Sequence, residues 1–275
     1  MNPKALIDEG KLGYALSALQ DRVRQDPADV KQRIFLFQLL TVLGLWNRAL
    51  TQLNVIGEMD AAALPMVQTY REAIQCEALR DEIFSGARTP IIFGKPKPWL
   101  GQLLEALKSE GKGESTHADA LRQQAFSEAH AFSGTINGER FDWLADADPR
   151  LGPVLEVIIN GRYFWVPMEH IQRIELDTPE DLRDSVWMPA TFTWINEGQT
   201  VGLIPSRYPG TVARTNKDAM LLGHLTEWEE GSGHGVGQRM LVTDGGDYPL
   251  MDVRVIEFDA HAPADGDIDT EANHG

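Results

Sequence analysis

The residues able to do chemistry in this 275-residue chain are seven histidines, one cysteine and 41 carboxylates. They are densest in HLTEWEEGSGH, where Glu227, Glu229 and Glu230 lie between His224 and His234. Imidazole and carboxylate together ligate zinc and iron. The segment therefore marks a candidate metal-dependent or hydrolase-like site around His224, Glu227 and His234. The remaining histidines are His117, His130, His170, His261 and His274, and no pair has ligand spacing with a second set nearby. A strand end running into a polar loop is the better reading of this stretch. Within it, the run GSGHGVG (231–237) superficially suggests a phosphate cradle, but QRMLVT follows, which reads as strand. A cradle needs a helix N-terminus at that point, so the run reads as a flexible loop. There is no P-loop Lys-Ser/Thr pair and no G-x-S-x-G elbow. Cys76 sits in a helical stretch, QTYREAIQCEALRDEI, with no activating base beside it, and reads as a buried structural thiol. Paired acids such as Glu229-Glu230 and Asp265/Asp267/Asp269 read as solvated faces. The expectation is a protein that is not an enzyme, with no metal and no cofactor.

The elements that would position any site fall into two halves. Shifting residues 6–19 by 34 positions places Leu6 on Leu40, Gly10 on Gly44, Ala15 on Ala49, Leu16 on Leu50 and Leu19 on Leu53. Thirty-four residues is the tetratricopeptide period. The matches make physical sense: the glycines sit where a helix ends and the chain turns, the alanines allow close approach, and the leucines fill the gap between helices. Val30 to Leu43 is apolar on most faces and predicts a central, buried helix. Trp46, Leu50 and Leu53 mark the next helix. Val67, Tyr70, Ile74 and Ala78 mark a longer one, ending near Ser85-Gly86. After the loop ARTPIIFGKPKP, Trp99, Leu103 and Leu107 open another helix. A polar hinge, KSEGKGEST, precedes a last one phased by Ala118, Leu121, Ala125 and Phe132.

Beyond about residue 140 the pattern turns to strands. VLEVII (154–159) and Arg162–Val166 flank Asn160-Gly161, a strong hairpin signal. Further strands are expected at Ile171–Leu176, Ala190–Ile195, Thr200–Ile204, Met240–Val242 and Val253–Phe258, with TPEDLRD as a short helix capped by Thr178. The fold class is α+β: a TPR-like helical-hairpin region (1–135), a β-rich, small barrel-like region (136–258) and an acidic disordered tail (259–275).

Charge follows the same division. Residues 1–140 carry 16 Lys/Arg and 17 Asp/Glu, whereas residues 141–275 carry 9 and 24. A chain so acidic has no basic face for nucleic acid. No apolar window reaches a membrane-spanning length and no signal peptide opens the chain, so membrane insertion is not expected and the expected location is cytoplasmic. Most tryptophans are core candidates. Phe93 and Trp99 flank KPKP in the Pro-rich loop, where they either anchor a partner or clamp the two halves together. Trp46 is a third candidate partner anchor.

Four stretches together resemble the ImpE family, also called SciE-type or TagJ, accessory proteins of bacterial type VI secretion systems. They are YREAIQCEALRDEIFSGARTPIIFGKPKPWL (70–100), DLRDSVWMPATFTW (181–194), GLIPSRYPGT (202–211) and GHLTEWEE…GQRMLV (223–242). The resemblance spans about residues 1–258 and includes no catalytic signature. It implies a non-catalytic adaptor, associated with virulence machinery, that binds proteins. The implied partners are the N-terminal helix of the small contractile-sheath subunit and, in some systems, the ClpV-type AAA+ ATPase. Stacked hairpins would offer the groove for such a helix.

Overall fold

A computed structural model describes residues 2–260. Five helices come first: α1 (Pro3–Asp8), α2 (Leu12–Gln25), α3 (Val30–Val42), α4 (Trp46–Met59) and α5 (Leu64–Phe84). In α2 the buried residues Leu12, Ala15, Leu19 and Val23 recur every three or four positions and form one apolar stripe. In α3, Leu36 to Val42 are buried without interruption, and this helix is the centre of the bundle. Asp29 caps α3 by accepting the Gln32 N–H at 3.1 Å.

The 34-residue repeat is visible atom by atom. Gly10 and Gly44 both adopt left-handed backbone, with φ of 66° and 65°. Gly10 N–H donates to the Ile7 carbonyl at 2.8 Å and Lys11 N–H to Leu6 at 2.7 Å. Gly44 N–H donates to Thr41 at 3.0 Å and Leu45 N–H to Leu40 at 2.9 Å. Each glycine ends one helix in the same Schellman geometry and turns the chain into the next. The turns that join α1 to α2 and α3 to α4 therefore share one geometry.

The segment after α5 is not a free loop. Strand β1 (Ile91–Ile92) pairs in parallel with the later strand β6 (Arg162–Pro167). Helices α6 (Pro98–Gly111) and α7 (Ser115–Glu128) follow. The polar stretch expected to be a hinge begins as the last turn of α6, closed by Lys112 N–H to the Lys108 carbonyl, and ends as the first residues of α7. Phe132 lies beyond α7 rather than on it, with its ring 4.9 Å from that of His130.

Strands β2 (Gly134–Ile136), β3 (Glu139–Phe141) and β4 (Leu144–Asp146) come next, then β5 (Val154–Ile159), β6, β7 (Ile171–Leu176), β8 (Trp187–Trp194) and β9 (Gln199–Pro205). Two four-residue helices, α8 (Thr211–Arg214) and α9 (Asp218–Leu221), precede β10 (Thr226–Trp228), β11 (Gly235–Gly237), β12 (Met240–Thr243), β13 (Asp247–Pro249) and β14 (Val255–Phe258). Nine strands form one sheet in the order β1-β6-β5-β9-β8-β7-β14-β2-β3, and β13-β12-β4 form a small second sheet. The β5–β6 turn is Asn160-Gly161, with φ of 48° and 71°. Both residues take the left-handed backbone that a two-residue hairpin turn requires.

Alternation along the strands divides the core. Leu155, Val157 and Ile159 of β5 join Met188, Phe192, Ile204, Leu241 and Ile256 in a cluster enclosed by the two sheets, the barrel-like interior. Val154, Ile158, Tyr163, Trp165 and Trp187 point the other way and join the helices in a second cluster. Helices and sheet thus share one core.

Residues 178–184 form no helix: the chain is irregular to Asp181 and turns from Leu182. The Asp184 carboxylate accepts the N–H groups of Glu180 and Asp181 at 2.6 and 2.9 Å, and these local bonds replace helical ones. Most of the acidic tail, residues 261–275, lies outside the described residues; Asp259, at its start, is bound by Arg140 at 2.6 Å. Among the described residues no helix is long and apolar enough to cross a membrane.

Candidate functional site

A groove opens where α2, α3 and α4 meet. Each helix lends it residues one turn apart, the spacing that puts side chains on one face: Gln20, Val23 and Arg24 from α2, Leu36 and Leu40 from α3, Arg48 and Gln52 from α4. The floor is Val23, Leu36 and Leu40. The rim is polar: Arg24 pairs with Asp21 at 2.9 Å, and Gln52 accepts from Arg33 at 3.2 Å. The depression is shallow and open to solvent, with a volume of about 270 Å³. A void of about 150 Å³ holds one benzene-sized group, so the groove has room for one such group.

The junction between the helices and the sheet is held by buried charge. Glu156, fully buried in β5, accepts from Arg80 of α5 at 2.5 and 2.9 Å, from the Tyr163 hydroxyl at 2.5 Å, and from Arg239. Arg239 also binds Asp146. Arg80 reaches the Arg207 carbonyl at 2.7 Å. Arg207 donates to the Val42 and Leu221 carbonyls, both at 2.7 Å, and so ties down the last turns of α3 and α9. Glu77 accepts from the Trp187 indole at 2.9 Å. The sequence carried a signal for part of this that is easily passed over: Glu156 is the one charge inside VLEVII.

This network has opposite pH signatures in its two acids. Burial drives the Glu156 carboxyl up, but the Arg80 and Arg239 guanidiniums outweigh it and hold the group at about 2. Burial raises Asp146 to about 6 against the pull of Arg239. A carboxyl raised on folding contributes stability below its unfolded value and loses it as pH rises through the folded one. Relative to an Asp146→Asn variant, the parent protein is therefore expected to gain stability as pH falls through about 6 toward the ordinary aspartate value of 3.8. Glu156 acts in the reverse sense: its contribution is present above the ordinary glutamate value of 4.5 and is lost as pH falls toward about 2. Urea midpoints of parent and variant across this range test the point. A parent–variant difference that stays flat through the Asp146 window contradicts it.

The histidine-rich segment builds no ligand set. Glu227 pairs with Lys217 at 2.5 Å, and His234 Nε2 lies 2.8 Å from Glu110 of α6. Among the described residues no group of three or more His, Cys, Asp or Glu is placed to hold a metal ion. The glycine run is a tight turn into β11 rather than a flexible loop, because the Asp148 carboxylate accepts the Gly235 N–H at 2.9 Å. Burial pushes the Cys76 thiol up to about 12, away from nucleophilic use.

Residues 138–257 match the family described as ImpE protein. The type VI secretion system accessory component TagJ of Pseudomonas aeruginosa is 52% identical over 259 residues, covering 94% of this chain and 92% of that one. The chain belongs to the ImpE family. A Vibrio parahaemolyticus protein of known X-ray structure shares the fold at a TM-score of 0.85 and 25% identity, over 94% of this chain and 98% of that one. The name TagJ describes an accessory component and no reaction.

Within this ImpE-family fold the three candidate anchors stand apart. Phe93 stacks on Trp194 with ring centroids 4.2 Å apart, and its N–H donates to the Trp165 carbonyl at 2.9 Å. It fastens the Pro-rich segment to the sheet. Trp99 is buried at the start of α6 and lines a small cavity together with Pro153 and Met168 of the β half. Trp46 is half-buried, packs 5.9 Å from Trp187, and lines a cavity at the helix–sheet junction. The sequence marks Leu40 as a repeat position, but does not mark Val23, Leu36 and Leu40 as a site. Their helical spacing is that of any buried stripe.

Proposed function

We propose that this chain is a non-catalytic adaptor of type VI secretion that seats an amphipathic helix of the small contractile-sheath subunit in the α2–α4 groove. On this reading it also meets the ClpV-type ATPase in some systems and works in the cytoplasm. The observation that carries the proposal is the groove itself, an apolar floor of Val23, Leu36 and Leu40 under a polar rim with Arg24 and Arg48 at its edges. Family membership supports the accessory role. A ligand helix would insert apolar residues one turn apart, with Cβ atoms about 5–6 Å from each other. Acidic residues flanking those anchors would meet the rim arginines. The groove alone is too small for a stable interface, which needs about 1,000 Å² or more of buried surface, so the helix must continue across neighbouring surface.

Filling the groove is the direct test. Gln20→Trp and Gln52→Trp change rim positions and leave the floor intact. Each is expected to weaken binding of a sheath-helix peptide by about tenfold or more, equivalent to about 1.4 kcal/mol, with the circular dichroism spectrum unchanged. Isothermal titration reads the affinity. Unaltered affinity in both variants would place the peptide elsewhere.

A further inference from the structure

A second cavity, separate from the groove, opens at the helix–sheet junction with a volume of about 270 Å³. Trp46, Glu77, Asp81, Tyr208 and Val212 line it, together with the guanidiniums of Arg80 and Arg207. It is smaller than the roughly 300–1,000 Å³ of drug-sized and cofactor sites. A single side chain or a small fragment fits it better than a cofactor.

The polar groups of this cavity are not equivalent. Arg80 is committed to Glu156 and Glu77, and Arg207 to the carbonyl ends of α3 and α9. Both Glu77 oxygens are engaged, by Trp187 and Arg80. The Asp81 carboxylate differs: the residue is exposed, the carboxylate makes no hydrogen bond or close ion pair among the described residues, and it feels the Arg80 guanidinium only at longer range. The Trp46 indole shares the lining with it. A carboxylate with free acceptor oxygens and an aromatic ring in one small cavity suit a planar cation, which takes paired hydrogen bonds from the first and cation–π attraction from the second.

The rim decides between a free cation and a side chain. Val212 is 37% exposed, and Trp228, whose ring lies 5.6 Å from that of Tyr208, is 46% exposed. A small guanidine would leave both apolar groups in water, whereas a polypeptide carrying an arginine would cover them. We propose that this cavity receives an arginine side chain of a partner protein, with Asp81 and Trp46 as its recognition residues. The site stands independently of the groove on α2–α4.

The test titrates Nα-acetyl-arginine-N-methylamide into the full 15N-labelled chain and follows the Trp46 indole N–H resonance. Saturable shifts in the millimolar range are expected, with Asp81→Asn weakening binding by about tenfold to a hundredfold, as loss of a charged hydrogen-bond partner does. The lysine analogue should bind more weakly, and the glutamate analogue should leave the resonance unmoved. Asp81 is exposed and unbonded, so its variant is expected to keep the parent spectrum elsewhere. Trp46→Phe, which keeps a ring, gives an independent variant, read on the neighbouring Trp187 indole. No shift with the arginine compound, equal affinity in Asp81→Asn, or equal binding of the lysine or glutamate compound would overturn the assignment.

Discussion

Replacing Arg239 with alanine is expected to lower the unfolding free energy by about 3–5 kcal/mol, the range found when one partner of a buried ion pair is removed. Arg239 is completely buried and binds Asp146, Glu156 and the Pro205 carbonyl, the last at 2.9 Å. Truncation would strand Asp146 without its counter-charge and leave Glu156 with Arg80 as its remaining cation beside the Tyr163 hydroxyl. The burial penalty of the carboxylates would remain while half of the compensation disappeared. Urea unfolding monitored by circular dichroism gives the value. A loss of only about 1 kcal/mol, as for a surface ion pair, would mean that the network contributes little to joining helices and sheet.

A loss of similar size is expected for Trp187→Ala, about 3–5 kcal/mol by analogy with large aromatic truncations in cores. Trp187 belongs to β8, but its neighbours are helical. Its ring lies 5.8 Å from Tyr70 of α5 and 5.9 Å from Trp46 of α4, and its indole N–H donates to Glu77. The residue is fully buried in the cluster that contains both helical and strand residues. Its removal should therefore destabilise the helical half and the sheet together. Far-ultraviolet circular dichroism and tryptophan fluorescence should report one coincident transition, shifted to lower urea. Two separated transitions would contradict the shared core.

Why some of this fold is readable from sequence follows from where its signals lie. The helical half announces itself because each hairpin carries a glycine at its turn and an apolar stripe along its length. Gly10 and Gly44 repeat the same backbone geometry 34 residues apart. The β5–β6 hairpin announces itself through Asn160-Gly161. Strands β1 to β4, β10, β11 and β13 give almost no pattern, because two or three residues are too few to display alternation. Asn137-Gly138 marks the β2–β3 turn with the same positive φ values, but no strong apolar run flanks it.

The site was less legible than the fold. Arg80 and Glu77 lie in QCEALRDE, which reads like a solvated helix face, yet the sheet covers that face and buries both. Their role depends on Glu156, 76 residues beyond Arg80. Phe93 looks like an exposed loop aromatic until β1 pairs with β6 and lays its ring on Trp194. The junction cavity forms only where distant elements meet, so no local spacing encodes it, and the groove draws on three successive helices whose stripes look like ordinary core.

The most direct measurement is a titration of the sheath-helix peptide into methyl-labelled protein, following the Val23, Leu36 and Leu40 resonances. The adaptor account predicts saturable shifts at these three floor residues, lost when the peptide's apolar face is broken by aspartate. Floor methyls that stay still while the peptide binds elsewhere, or a peptide that does not bind, would contradict it.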